Sequence, residues 1–271
     1  GKTIATTGGH GDPSNGWRAD IQFPEGTDDG VVNSADEARK AVRQRYQDGV
    51  DCIKITATGG VLSIAKSGKG PQFTESELDG VIQTAKDYGY HVAAHAHGAE
   101  GMKRALRAGV TTIEHGSFLD DEAIALFKEK GAYLVPTIIA GKTVADSAKI
   151  KGYYHPLIIP KAIETGALIQ KAFERAYKTG VKIAFGTDAG VFPHGNPRSC
   201  RRDVCQCAGP CRCTRRAVRL ARAQRWHQHP HRRGFYGRLG GQLGQFDEQP
   251  KVGLPRLLGH KAAHGRLRPC Q

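Results

Sequence analysis

The chain has 271 residues and a formal charge of +14, but residues 198–271 hold 17 of the basic and only 3 of the acidic side chains. Residues 1–197 therefore balance 23 basic against 23 acidic groups, which leaves the body without the electrostatic footprint of a nucleic-acid binder. Its single cysteine, Cys52, excludes a disulfide framework, and no apolar run reaches the roughly 18 residues of a transmembrane helix.

The chain begins on Gly1 and its one methionine is Met102, so no natural start or signal peptide is visible. The N-terminus is expected to be missing. The compartment stays open, with the lone body cysteine leaning toward the cytoplasm.

From the start, "TIATT" (3–7) reads as a strand, followed by a loop rich in Gly, Asp and Pro. "SADEARKAVRQRYQDG" (34–49) carries an N-cap Ser, a Glu three residues later and a closing Gly, the signature of a helix. "VDCIKITAT" (50–58) predicts a strand, and residues 59–72 a Gly-rich loop. "TESELDGVIQTAKDYG" (74–89) repeats the cap-to-Gly helix pattern, and "YHVAAHA" (90–96) returns to strand. The alternation continues through helix 99–109, strand 110–116, helix 120–131, strand 132–138, a long helical region 158–179 and a last strand in "VKIAFGTDAG". Six strands in strand–helix order predict parallel pairing and right-handed crossovers. No Gly fingerprint for phosphate binding supports a doubly wound sheet. The expected fold is therefore α/β, an incomplete (β/α)8 TIM-type barrel of about six strand–helix units spanning 1–197.

After "VFPHGNP" the periodicity stops. Residues 198–271 crowd Arg, Cys, His and Gly together, as in a GC-rich gene translated out of frame, and are expected to form an irregular basic tail without a packed core. Two rival readings are a basic arm that binds nucleic acid and a zinc module built on Cys200, Cys205, Cys207, Cys211 and Cys213. The cysteine spacings lack the paired C-x2-C of zinc ribbons, so the second is a weak signal.

The chemistry-bearing residues sit where the predicted strands end. His95 in "VAAHAHG", His115 in "TTIEHG" and Asp188 in "AFGTDAG" each close an apolar run, and Lys54 lies in the run "DCIKITAT". Any one alone would be an ordinary strand-end residue. Together they mark the C-terminal rim, where such barrels keep their active sites. Imidazoles and a carboxylate suit zinc or a similar ion, which must be held rigidly with an open position for water.

The order "IKI", "HAHG", "EHG", "GTDAG" resembles the amidohydrolase superfamily, most closely its imidazolonepropionase-like and Xaa-Pro dipeptidase (prolidase-like) branch. The resemblance implies a metal-dependent hydrolase that cleaves a C–N amide or peptide bond through a metal-bound hydroxide. It implies two divalent ions, usually zinc, bridged by Lys54 carboxylated with carbon dioxide. His95 and His115 would bind one ion; Asp188 would bind the other and act as general base. A carbamate at Lys54 makes physical sense, because an ammonium would be repelled by two dications.

Among the remaining residues, His97 is a candidate to hold the substrate, with a plain supporting role as its alternative. His10 is a candidate to polarise the scissile carbonyl, or else a turn residue, and Asp12 is expected to brace its loop. Tyr153, Tyr154 and His155 are candidates to line the pocket, with Tyr154 taken as substrate-binding. The expected partner is a small amide or dipeptide. The alternatives are imidazolone-type cyclic amide hydrolysis and, from another class, nucleic-acid binding through the tail. The family's paired H-x-H ligands on the first strand have no counterpart, so weak metal binding and little activity are expected of the 271-residue chain.

Overall fold

The computed structural model describes residues 1–21 and 25–192. The proposed boundary at residue 197 and the tail beyond it lie outside the described residues.

Five strands form one sheet: β1 (Ile53–Thr56), β2 (Val92–Ala96), β3 (Thr112–His115), β4 (Tyr133–Val135) and β5 (Lys182–Ile183). All neighbours pair in parallel and the spatial order is the chain order. A doubly wound sheet reverses direction at a switch point. Here the order never reverses, as in the wall of a barrel. Ahead of β1, Ile4 bridges Ile55 and Ala5 bridges Val31, both in parallel, so the wall continues on that side. The strand expected over 3–7 is thus reduced to two bridging residues.

Each crossover is a helix whose ends are written in the sequence. Helix α1 (Ala35–Gln47) starts on Ser34, whose side chain accepts from the Glu37 N–H. Helix α2 (Glu75–Asp87) has a full capping box between Thr74 and Glu77. Helices α3 (Ala99–Ala108) and α4 (Asp121–Lys130) stop on Gly109 and Gly131 in the left-handed conformation, which glycine adopts without a Cβ penalty.

Alternation along the strands divides their residues between two faces. Ile53 and Ile55, Val92 and Ala94, Ile113 and Leu134 join Leu78, Val81, Met102, Leu106 and Phe127 in one buried core. The other face of the sheet takes the residues between them, and the register sets Lys54 opposite Ala93, Thr56 opposite His95 and His95 opposite Glu114. Apolar burial on one face thereby forces the polar set onto the other.

Two expected strands end early. β4 stops at Val135, Thr137 turns left-handed (φ 46°), and α5 (Ile138–Ser147) begins. Local preference extends this strand to residue 138 and gives no sign of α5, because Ile138 and Ile139 are β-prone. Packing overrides that preference: α5 lies against α6 (Ile159–Lys178) and buries Ile138, Ile139, Ala140 and Val144. The last strand keeps only two paired residues, and Asp188 lies beyond it. No described helix is long and apolar enough to cross a membrane.

Gly98 sits where the Gly-rich loop 59–72 crosses the end of β2. A Cβ there would overlap the Lys69 carbonyl. Gly98→Ala is expected to destabilise the fold by about 2 kcal/mol or more, since backbone rather than a movable side chain blocks the space. Urea unfolding measures it, and a loss under about 0.5 kcal/mol would show that the loop gives way freely.

Candidate metal centre

At the C-terminal edge of the sheet four imidazoles stand together. The His95 ring centroid is 4.3 Å from that of His10, 4.8 Å from that of His97 and 4.7 Å from that of His115. His97 and His115 stack at 4.7 Å. One ring nitrogen from each of His95, His97 and His115 lies within 4.8 Å of the other two.

Alternation alone brings His95 and His97 to this face, since they are two positions apart. His115 is different, because its position in β3 matches Ile113, which faces the helices. Its backbone breaks the alternation with φ 73°, and Asp188 is likewise left-handed at φ 55°. Non-glycine residues in this region carry strain of order 1–3 kcal/mol, and such strain concentrates at functional sites.

The rings are fixed from behind. His97 Nδ1 is 2.9 Å from the Ser117 hydroxyl, and His115 Nδ1 is 2.6 Å from that of Thr137. His10 Nδ1 meets the Ser63 hydroxyl, while the His10 backbone N–H donates to Gln72 Oε1 at 2.9 Å. His95 Nε2 donates to the Gly59 carbonyl at 3.1 Å, which leaves Nδ1 as its acceptor. Gly60 is needed here, because a Cβ would overlap the His10 ring.

Burial keeps all four imidazoles neutral. It is the largest cause of each depressed pKa, and the neighbouring rings and lysines add to it. His10 falls from 6.5 to about 4 and His97 to about 3, while His95 and His115 lie well below 6.5. Neutral, buried, pre-oriented imidazoles are the donor set a divalent first-row ion takes, so the residues fit such an ion. His95, His97 and His115 can hold a metal ion.

The same pKa values set a pH dependence in the metal-free chain. The unfolded histidines take up protons as pH falls through 6.5, and the folded ones do so only near 4 or below. The unfolded state then binds more protons, so stability must fall with pH, by up to about 1.4 kcal/mol per unit for each histidine. Thermal melts of chelator-treated protein between about pH 7.5 and pH 5 should show a steadily falling Tm. A constant Tm would mean the rings are not buried neutral.

Asp188 lines the same cleft of about 480 Å³ as His10, His95, His97 and His115. Its pKa is raised by burial; Lys54 opposes the rise and Glu114 adds to it. The Lys54 amine pairs with the Glu114 carboxylate, and its charge is felt at His10, His95, His115 and Asp188. Glu114 is the residue the sequence does not single out; its place one residue before His115 is the one sequence signal, and its position opposite His95 emerges only from the register.

Two sequence assignments come out differently in space. His97, set aside for substrate, has its imidazole inside the ligand-type trio. Tyr154 packs against Val61, Val144, Ala148, Ile158 and Ala162, with its phenol on Ser147, and is not among the residues lining the cleft. Val144 on α5 and Ala148 at its end belong to the cluster that Tyr154 packs against. Asp12 does brace its loop, accepting from Gly8 N–H and from the N–H and hydroxyl of Ser14.

A parallel α/β wall with clustered histidines at its C-terminal edge is the arrangement of a barrel wall carrying a candidate metal centre. The chain belongs to the amidohydrolase family, whose model matches residues 5–230 and whose fold is the (β/α)8 barrel. It is similar to a Xaa-Pro dipeptidase crystallised with methionine in its active site, at 55% identity and a TM-score of 0.76 over 78% of this chain and 52% of that one. A prolidase complexed with N-methylphosphonate-L-proline aligns at 33% identity, with a TM-score of 0.62 over 69% of this chain and 47% of that one. The ochratoxinase of Aspergillus niger is 34% identical over 161 residues, 58% of this chain and 32% of that enzyme. The chain thus spans about half the length of the dipeptidase and about a third of the ochratoxinase.

Proposed function

We propose that the chain is part of a metal-dependent hydrolase that cleaves a C–N amide or peptide bond, with Xaa-Pro dipeptides as its substrates. The observation that carries this is the buried trio of neutral imidazoles sharing one cleft with a carboxylate whose pKa is raised. The 55% identity to a Xaa-Pro dipeptidase supports the choice of substrate.

In this reading His95, His97 and His115 hold one divalent ion, taken as zinc. Lys54 as its carbamate and Asp188 serve a second. The ions when bound polarise the scissile carbonyl and acidify water. The chain's own residues do the rest. Asp188 accepts a proton from the attacking water and delivers it to the leaving nitrogen, a task for which its raised pKa suits it. His10, neutral and held at Nδ1 by Ser63, offers Nε2 toward the carbonyl oxygen. Lys54 must exchange its pairing with Glu114 for the carbamate, since two anions side by side would otherwise repel.

The test joins three readouts on protein incubated with zinc and bicarbonate. Zinc should bind weakly, intact mass should rise by one carbon dioxide on Lys54, and Ala-Pro should be hydrolysed at a low rate, because the paired first-strand ligands have no counterpart in this chain. An unmodified Lys54 in active, zinc-loaded protein would remove the carbamate and leave Lys54 as the ion-pair partner of Glu114. Zinc binding without cleavage of any Xaa-Pro dipeptide would overturn the dipeptidase reading.

A further inference from the structure

Thr137 joins β4 to α5 in a conformation that its own side chain makes difficult. Its φ of 46° is left-handed, where a β-branched residue is a true outlier because both Cβ substituents crowd the backbone. Glycine takes the same turn freely, and asparagine nearly so. Thr137 is also the N-cap of α5, the position where a threonine hydroxyl ordinarily accepts a helix N–H. Here the side chain makes no such bond. The hydroxyl is turned instead to His115 Nδ1, 2.6 Å away, while the Thr137 carbonyl engages the helix, accepting from the Ala140 N–H at 3.0 Å. If the turn were the only requirement, neither the branched side chain nor the unused cap would serve it.

The residue it meets is strained in the same sense, since His115 has φ 73°. The β3–β4 register pairs Glu114 with Val135, and Pro136 follows without an N–H, so the ladder stops just before both residues. Past that point the Thr137 hydroxyl reaches across to the ring. Thr137 is buried at 3% exposure and is not among the residues lining the imidazole cleft, so it acts on the site through His115. With Nδ1 occupied by the hydroxyl, Nε2 is the nitrogen that His115 has left for an ion.

We propose that Thr137 is a positioning residue of the metal centre: its hydroxyl accepts from His115 Nδ1–H and holds the ring with Nε2 free to ligate. The missing cap and the left-handed backbone of the β4–α5 turn both follow from that placement. The proposal rests on the metal-binding part of the hydrolase reading above. The competing role is purely local, with Thr137 only turning the chain from β4 into α5.

The two roles couple stability to zinc affinity differently, and neither readout needs turnover. Thr137→Gly removes the strain and the hydroxyl together. Its metal-free Tm should stay near that of the parent while zinc binding weakens by about 10- to 100-fold, the range for groups that support a metal ligand. Thr137→Ser keeps the hydroxyl and should bind zinc within about threefold of the parent. Thr137→Val keeps the branched shape without the hydroxyl and should lose affinity as Thr137→Gly does. Competition with a chromogenic chelator gives the affinities. The visible spectrum of the cobalt(II)-loaded chain shows whether His115 stays on the ion: Thr137→Ser should match the parent, and the other two should not. Parental zinc affinity and cobalt spectrum in folded Thr137→Gly or Thr137→Val overturn the proposal. So does a folded Thr137→Ser chain that binds as weakly as those two. Hydrolysis of Ala-Pro by the parent, with zinc affinity unmoved by any of the three substitutions, would keep the hydrolase and remove the role of Thr137. Hydroxyl-dependent zinc affinity in a parent that cleaves no Xaa-Pro dipeptide would do the reverse. A parent chain that binds neither zinc nor cobalt overturns both.

Discussion

Asp188→Asn is expected to lower kcat for Xaa-Pro hydrolysis by about a thousandfold, within the range that a positioned proton-transfer group supplies. The amide keeps the shape of the carboxylate but cannot accept the water proton. Stability should move the other way. Burial raises the Asp188 pKa, so its ionised form is disfavoured in the folded state at neutral pH. Removing that charge should leave the Tm of the metal-free chain unchanged or slightly higher. Loss of turnover with equal or better stability distinguishes a functional carboxylate from a structural one. A kcat within about tenfold of the parent would show that another group moves the proton.

His115→Gly should weaken zinc binding by more than about a hundredfold, because loss of a group merely supporting a ligand already costs 10–100-fold. Glycine also adopts φ 73° freely, so relief of about 1 kcal/mol of backbone strain offsets part of the lost ring packing. The metal-free Tm should therefore stay near that of the parent while zinc affinity collapses, as competition with a chromogenic chelator would report. His97→Ala decides between the two roles considered for that residue. A loss of zinc affinity like that of His115→Gly makes His97 a ligand. A raised KM with zinc affinity intact makes it a substrate contact.

The repeating units were legible because each level of the sequence agreed with the next. Cap residues Ser34 and Thr74 and the closing Gly109 and Gly131 bounded helices that the structure places within a few residues of their expected ends. The period of two in "HVAAHAHG" set His95 and His97 on one face, and the apolar residues between them had only the helices to pack against. The elements that were misjudged are those where context outweighs local preference. Ile138 and Ile139 prefer strands, yet they form the buried face of α5.

By itself the sequence determined the strand–helix alternation, the parallel wall and the presence of His95, His97 and His115 at or near its strand ends, because periodicity and capping are local. Tertiary structure decided how those residues converge. Strand alternation would send His115 toward the helices, and only its left-handed backbone brings its ring to within 4.7 Å of His95 and His97. It also decided the pairing of Lys54 with Glu114, 60 residues apart, and the burial of Lys161 against the carbonyls of Gly60 and Ser63. Contacts between residues so far apart depend on where the sheet and loops place them in space, and no local pattern encodes that distance.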